Sequence, residues 1–242
     1  MQQFSLSANI EEGLSKNFQY IVTPNARDVA SGLVDGYRTG IHSFTIIGSY
    51  GTGKSSFLLA LEKDLQSKGS YSLLNPHTLS ANAKFDVLKI VGDYKDLVSL
   101  MRDKLLVDGT ADNVLDRLRE IYNQAKKQGK FLVIFIDEFG KVLEHAAKNN
   151  PEQELYFMQK LAEFVNVSTR QILLVTTLHQ NFSAYARKLS TLQKEEWTKV
   201  KGRFKELVFI EPVEQLLYLA STQLNTKNEV GIDAESLQQL CQ

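Results

Sequence analysis

The sequence has little cysteine and no excess of either charge. Its 242 residues include one cysteine, Cys241, which excludes an internal disulfide framework and favours a reducing compartment. The 28 basic residues are balanced by 28 acidic ones, so no overall field attracts nucleic acid or an anionic membrane. Local charged patches stay open as sites of contact.

Long apolar runs are also missing. No stretch approaches the ~18 consecutive apolar residues that read as a membrane span. Residues 1–10 lack the basic and apolar blocks of a signal peptide. We therefore expect a cytoplasmic protein that has no membrane partner. The histidines lack zinc-ligand spacing and predict no zinc site: His42, His77, His145 and His179.

What the sequence does contain is a glycine-rich loop between a short apolar run and a segment of helical pattern. Residues 48–55 read GSYGTGKS and fit the phosphate-binding pattern G-x-x-x-x-G-K-[ST] at every fixed position. Glycines let the backbone point successive N–H groups at one anion, and the following helix directs its positive end there. The predicted ATP-binding residues are Gly48, Ser49, Tyr50, Gly51, Thr52, Gly53, Lys54, Ser55 and Ser56.

Two of these residues have predicted chemical roles. Lys54 is expected to reach the β- and γ-phosphates of ATP and to take part in catalysis. The hydroxyl of Ser55 is expected to ligate Mg²⁺. ATP and Mg²⁺ are thus the predicted cofactors.

A pair of carboxylates follows the continuous apolar run of residues 131–136, which is typical of a strand buried on both faces of a parallel sheet. Such sheets bind ligands at the carboxyl ends of their strands. Asp137 is predicted to hold Mg²⁺ through its water shell, and Glu138 to orient and deprotonate the water that attacks the γ-phosphate. The alternative is an acidic helix N-terminus, but the phosphate loop upstream favours the catalytic interpretation.

A further buried strand, residues 172–175, ends in polar side chains. Thr177 is the preferred candidate at this tip for contact with the γ-phosphate or its water, ahead of Thr176 and His179. Strand ends are often polar without a catalytic reason, so a purely structural role is the alternative.

Strands alternate with helices along the chain, which predicts an α/β fold. We expect a three-layer αβα P-loop NTPase with a mostly parallel five-stranded sheet. The predicted strands cover residues 44–47, 85–91, 131–136, 172–175 and 207–210. Predicted helices include one that starts at Pro24 with Thr23 as its N-cap, one from Lys54 to about Ser67, and one over residues 182–192.

A basic segment, residues 199–205, precedes the last predicted strand. It has three interpretations. It is a solvated basic face, or Arg203 is an arginine finger for a neighbouring subunit's γ-phosphate, or its lysines contact nucleic acid. Aromatic interleaving is limited to Trp197 and Phe204, which makes the nucleic-acid interpretation the weakest.

The order of these motifs resembles that of an AAA+ ATPase from about residue 20 to residue 224. Residues 48–55 match its Walker A element, residues 133–138 its Walker B element, and residues 202–204 its GRF segment, which carries a finger arginine. The resemblance implies an oligomer of this chain or related subunits that interact through Arg203, and a module that drives conformational change in a larger assembly. It also implies a sensor residue at Thr176 or Thr177 and an adenine pocket near residues 20–22.

The resemblance also suggests a division of the chain. We expect an N-terminal linker and helix in residues 1–40, an ATPase core in residues 41–211, and the start of a short or truncated helical lid in residues 212–242. No arginine follows Pro212, so the second sensor arginine of many family lids is not visible. We expect the chain to be the ATPase portion of a longer protein. Residues 40–65 and 176–186 are similar to ATPase segments of large bacterial proteins, some linked to defence against phage.

ATP hydrolysis is the function that this pattern favours. A nucleotide-gated switch or scaffold with little hydrolysis is the non-enzymatic alternative, and a P-loop small-molecule kinase is a second enzymatic one. The pair Asp137 and Glu138 suits activation of water better than acceptance of a substrate hydroxyl. An ABC-type ATPase would need an LSGGQ-like segment and a GTPase an NKxD, and the sequence contains neither.

Overall fold

Helices and strands alternate through the part of the chain that the computed structural model describes, which is residues 9–12, 20–67, 71–167 and 169–212 together with residues 215 and 217. No helix in these ranges is both long and apolar enough to cross a membrane. The elements are α1 (Pro24–Arg38), β1 (Ser43–Ile47), α2 (Lys54–Ser67), a short 3-10 helix (Pro76–Thr78), β2 (Phe85–Val91), α3 (Leu97–Leu105), α4 (Ala111–Lys127), β3 (Phe131–Asp137), α5 (Phe139–Lys148), α6 (Pro151–Val165), β4 (Ile172–Leu178), α7 (Phe182–Tyr185), α8 (Thr191–Lys201) and β5 (Lys205–Val208).

The five strands form one sheet in the order β2-β3-β4-β1-β5, and every neighbouring pair is parallel. The predicted three-layer α/β fold is confirmed, with a sheet that is wholly rather than mostly parallel. Because the strands run in one direction, the loops that follow β1, β3 and β4 all emerge on the same side of the sheet, at the carboxyl ends of the strands.

Strand β3 separates the two halves of the hydrophobic core. Its successive side chains point to opposite faces, as strand geometry requires. Leu132, Ile134 and Ile136 pack with α3, α4, α5, α6 and α8. Phe131, Val133 and Phe135 pack with α1 and α2 on the other face. Since all six are buried, the prediction of a strand covered on both faces is confirmed.

Three predicted elements are wrong in their bounds. Strand β4 covers Ile172–Leu178 rather than residues 172–175, so Thr176 and Thr177 lie within the strand. The last strand covers Lys205–Val208 rather than residues 207–210, because Lys205 pairs with Phe44 and fixes the register with β1. At this edge of the sheet the polar side chains of Lys205 and Glu206 are half-buried and tolerated. The helix predicted over residues 182–192 is two helices, α7 and α8, since Ser190 accepts the N–H of Gln193 and starts a new helix.

The chain divides into two compact units, Met1–Ile210 and Glu211–Gln242. The first contains every element named above. The helical lid predicted for residues 212–242 lies largely outside the described residues, and the proposed division into linker, core and lid stays a prediction.

Glu154 is a buried carboxylate at the start of α6. It accepts the N–H of Leu97 at 3.2 Å, at the first residue of α3. Burial, aided by the nearby charge of Asp96, raises the pKa of Glu154 to about 7. Because this folded-state pKa lies above that of an unfolded glutamate, ionisation of Glu154 destabilises the folded protein. This loss of stability is absent at acidic pH, grows through pH 5 and 6, and is complete above about pH 7.

Replacing this carboxyl group should therefore stabilise the protein in a pH-dependent way. We expect Glu154→Gln, which keeps an oxygen acceptor, to raise the free energy of unfolding at pH 8 by on the order of 2 kcal/mol more than at pH 5. Urea denaturation at both pH values measures the difference. Glu152→Gln, at an exposed position of the same helix, is the control and should show little change. An equal effect of Glu154→Gln at both pH values would contradict the prediction.

Candidate phosphate-binding and catalytic site

The loop between β1 and α2 adopts backbone conformations that explain its glycines. Gly51 and Gly53 have φ angles of 78° and 90°, a region that favours glycine. At Gly48 the constraint is space, since a Cβ there would lie 2.3 Å from the carbonyl oxygen of Phe209. The glycine pattern thus reflects both the turn of the loop and its close approach to the chain after β5.

Lys54, the first residue of α2, folds back into the loop. Its Nζ donates hydrogen bonds to the carbonyl oxygens of Gly48 at 2.6 Å and Ser49 at 2.9 Å. Burial lowers the pKa of Lys54, while the charges of Asp137 and Glu138 act to raise it. The structure therefore brings the lysine of the loop into the field of both predicted carboxylates.

A hydroxyl group joins the tips of β3 and β4. Thr177 Oγ1 donates to Asp137 Oδ1 at 2.5 Å and accepts the N–H of Glu138 at 3.0 Å. Asp137 is 4% exposed and Thr177 is 1% exposed, so these bonds are shielded from water. Thr176 points to the other face, where its hydroxyl lies 3.0 Å from that of Thr45. Of the two candidate threonines, Thr177 alone contacts Asp137 and Glu138.

The backbone of Glu138 is held in an unusual conformation. Its φ of 54° and ψ of 29° lie in the left-handed region, which costs a non-glycine residue about 1 kcal/mol. Gly92, just after β2, donates its N–H to the carbonyl oxygen of Asp137 at 2.7 Å. A Cβ on Gly92 would lie 2.5 Å from the carbonyl oxygen of Glu138. Gly92 and Thr177 thus fix this peptide from two sides and leave the carboxylate of Glu138 partly exposed.

The donor set fits Mg²⁺ together with a phosphate ligand. Ser55, in the first turn of α2, and Asp137 offer hydroxyl and carboxylate oxygens, and Mg²⁺ prefers oxygen. Among the described residues no group of three or more His, Cys, Asp or Glu could hold a metal by itself. Mg²⁺ commonly uses one or two protein ligands and completes its shell with phosphates and water. On Gly51 and Gly53 an added Cβ would meet no atom within 4 Å, so the loop is open to a ligand.

Arg203 lies at the amino end of β5, whereas the phosphate loop follows the carboxyl end of the neighbouring strand β1. It precedes β5, whose first residue, Lys205, pairs with Phe44 near the start of β1. The guanidinium donates to Glu163 Oε1 at 2.7 Å and to the carbonyl oxygen of Lys199 at 3.1 Å. The structure therefore does not bring Arg203 to the site of its own chain.

The aromatic side chains near the basic segment are not available to nucleic-acid bases. Trp197 is 1% exposed and donates its indole N–H to the carbonyl oxygen of Phe182 at 2.9 Å. Phe204 is buried as well. Lys199 lies 2.6 Å from Glu196, which offsets part of the local positive charge. The segment provides no stacking platform.

The region predicted to hold adenine has no regular secondary structure. Residues 20–22 precede α1 as an irregular segment. The ring of Tyr20 lies edge-on to that of Tyr71, with centroids 5.9 Å apart. The adenine pocket stays a prediction.

Sequence reasoning did not find an aromatic contact at the tip of the phosphate loop. The ring of Tyr50 stacks on His179 with centroids 4.6 Å apart and an interplanar angle of 20°. Tyr185 places its hydroxyl 3.1 Å from Nδ1 of His179. No spacing rule links a residue of the loop to a side chain about 130 positions later, so the sequence gives no signal for this contact.

Two solved structures of one distant protein share this fold. ORC2 of Aeropyrum pernix in its ADPNP-ADP complexes matches 90% of this chain and 57% of that chain, at 14% identity with a TM-score of 0.54. Its ADP form gives the same coverage and identity with a TM-score of 0.52. PCH-2 of C. elegans matches 89% of this chain and 51% of that chain, at 16% identity with a TM-score of 0.48. This chain thus spans 57% of the length of ORC2.

A family model gives the assignment that these distant structures do not. Among curated proteins, none is similar enough in sequence to count as a match. The model of the ATPase family associated with various cellular activities (AAA) matches residues 44–200, which include the phosphate loop, the Asp137 and Glu138 pair and Thr177. As that match covers more than half of the 242 residues, this chain belongs to the AAA family of ATPases.

Proposed function

We propose that this chain binds MgATP in the loop of residues 48–55 and hydrolyses it. The observation that carries the proposal is the hydrogen-bonded group of Asp137, Thr177 and Glu138, in whose field Lys54 lies. This group combines an oxygen ligand for a metal, a carboxylate that can accept a proton from water, and a cation for phosphate oxygens. Those are the parts that phosphoryl transfer to water requires.

In this proposal each residue has a defined task. The amine of Lys54 exchanges its bonds to two loop carbonyls for bonds to phosphate oxygens. Ser55, and Asp137 through the water shell of the ion, would hold Mg²⁺, which would supply positive charge against the phosphates when bound. Glu138 orients a water molecule and accepts its proton. Thr177 keeps the carboxylate of Asp137 and the amide of Glu138 in register, so that these groups act on the same phosphate.

We further propose that Arg203 serves a neighbouring subunit. Arg203 lies near the amino ends of β1 and β5, away from the phosphate loop of its own chain, and this location supports a role across an interface. A phosphate of the neighbour's nucleotide would replace Glu163 as the partner of the guanidinium. This role requires oligomerisation with copies of this chain or related subunits. We also propose, from the resemblance to AAA+ ATPases, that the module drives conformational change in a larger assembly. A cytoplasmic location, a link to defence against phage and contact with nucleic acid are also proposals. They are supported only by the sequence and its resemblance to known proteins.

A nucleotide-gated switch is the second candidate. It is favoured because reactive groups of one chain already have hydrogen-bond partners within that chain. Lys54 is bound to loop carbonyls, and Arg203 is paired with Glu163. A single chain in this state would bind nucleotide and turn it over slowly until a neighbour is present.

Substitutions at Lys54 and Glu138 separate binding from hydrolysis. We expect Lys54→Ala to weaken MgATP binding about 10- to 100-fold, because charge-assisted hydrogen bonds to phosphate are lost. We expect Glu138→Gln to bind MgATP normally and to lower turnover at least about 100-fold, because the proton acceptor is lost. Isothermal titration calorimetry and phosphate release measure the two effects. Unchanged affinity in Lys54→Ala, or unchanged turnover in Glu138→Gln, would contradict the proposal.

The two neighbouring threonines of β4 provide a matched pair. Thr177→Val removes the hydroxyl that bonds Asp137 and Glu138, and we expect turnover to fall at least about 10-fold. Thr176→Val removes a hydroxyl bonded to Thr45 on the other face. It should cost comparable stability, about 1 kcal/mol, and leave turnover within about twofold. Thermal denaturation and phosphate release on both variants distinguish these effects. Equal losses of turnover in the two variants would show that Thr177 acts only through stability.

A further inference from the structure

A series of ring contacts leads away from the tip of the phosphate loop. Tyr50, at the tip, stacks on His179, whose centroid lies 4.6 Å away. The hydroxyl of Tyr185 lies 3.1 Å from His179 Nδ1 and joins the imidazole to α7. Burial, together with the charge of Glu144, raises the pKa of Tyr185, so this hydroxyl keeps its proton at neutral pH and can donate to the ring.

The same side chains lie against the helix that follows Glu138. A Cβ on Gly140 would lie 2.4 Å from the hydroxyl oxygen of Tyr185 and 3.1 Å from His179 Nδ1. Glu144, one turn later in α5, lies 3.9 Å from His179 Nε2. His179 therefore contacts both the loop that is proposed to bind phosphate and the helix that begins beside the proposed base.

The ring contacts continue from α7 to the segment that carries Arg203. Phe182, three residues before Tyr185 in α7, is fully buried and packs on Trp197 with centroids 5.4 Å apart. Its carbonyl oxygen accepts the indole N–H of Trp197 at 2.9 Å. Phe182 also stacks on Phe204 at 6.1 Å and 26°. Phe204 is the residue after Arg203.

We propose that this aromatic relay, formed by Tyr50, His179, Tyr185, Phe182, Trp197 and Phe204, couples nucleotide binding at the phosphate loop to the segment around Arg203. His179 is its positioning residue, since it holds the tip of the loop against α5 and α7. The proposal rests on nucleotide binding as proposed above and does not require hydrolysis.

The coupling has a physical origin in the loop itself. Lys54 donates to the carbonyl of Ser49, the residue before Tyr50. When the amine turns to a phosphate, this bond is lost and the carbonyl of Ser49 keeps only the hydrogen bond from Thr52 Oγ1 at 2.9 Å, so the tip of the loop is held less firmly and can shift. A stacked ring cannot stay in contact with a shifting partner unless it moves with it, because aromatic contacts are short-ranged. The short helix α7, bonded at one end to His179 and packed at the other on Trp197, transmits that displacement.

The only tryptophan of the sequence, Trp197, lies in the relay and reports on it. Adding a non-hydrolysable MgATP analogue to the wild-type chain should change the tryptophan emission. Tyr185→Phe keeps the ring and removes the hydroxyl. We expect it to bind the analogue with a Kd within about threefold of wild type, because one hydrogen bond outside the binding loop is lost. Its emission response should fall to less than about half.

Two further variants make the comparison strict. His179→Phe keeps a ring against Tyr50, removes the ring nitrogen and should lose the response in the same way. It also decides the matter if Tyr185→Phe fails to fold. Tyr156→Phe, at an exposed position of α6, is the matched control and should respond fully.

Calorimetry on the same samples separates the possible failures. If the wild type shows no heat of binding, both the proposed function and the relay are contradicted. Binding without a change of emission in the wild type would overturn the relay alone. A full response in His179→Phe, and in Tyr185→Phe if that variant folds, would also overturn it. So would loss of binding in Tyr185→Phe, since Tyr185 would then belong to the nucleotide site.

Discussion

The hydroxyl of Thr177 connects Asp137 and Glu138, the two residues on which the proposed hydrolysis depends. It donates to the carboxylate of Asp137 and accepts the amide of Glu138, both in a shielded position between neighbouring parallel strands. This arrangement requires the sheet order that sets β4 beside β3, and it requires Gly92, which leaves room for the peptide after Asp137. The left-handed backbone of Glu138 is held by these contacts rather than by local preference.

Most of the fold, and the place of the candidate site residues within it, could be predicted because the signals are local. The loop of residues 48–55 needs glycine where φ is positive or where the backbone approaches Phe209, so its pattern is visible in the sequence. The strand before Asp137 is buried on both faces and therefore continuously apolar. A carboxylate that follows such a strand must lie at the ligand-binding edge of a parallel sheet. The loop pattern and the polar residues at the ends of apolar strands thus indicated Lys54, Asp137, Glu138 and Thr177 as candidates.

The features that the sequence did not reveal depend on contacts between distant positions. The start of β5 at Lys205 is set by pairing with β1, which overrides the apolar pattern that begins at Leu207. The ion pair of Arg203 with Glu163 and the stack of Tyr50 on His179 join residues with no shared periodicity. The break before α8 is different, because Ser190 and Gln193 form a capping box whose spacing is visible in the sequence.

In the proposed function, one chain provides half of a catalytic site, and Arg203 of another chain supplies the finger arginine. Phosphate release from a mixture of Arg203→Ala and Glu138→Gln chains tests this most directly. Each variant alone should be nearly inactive, since one lacks the finger and the other the base. The mixture should regain part of the wild-type turnover, because the intact Glu138 of one chain can then meet the intact Arg203 of another across an interface. Arg117→Ala, which removes an arginine paired with Glu120 on α4, should stay active as a control. No recovery in the mixture, together with normal turnover of Arg203→Ala alone, would contradict a composite site.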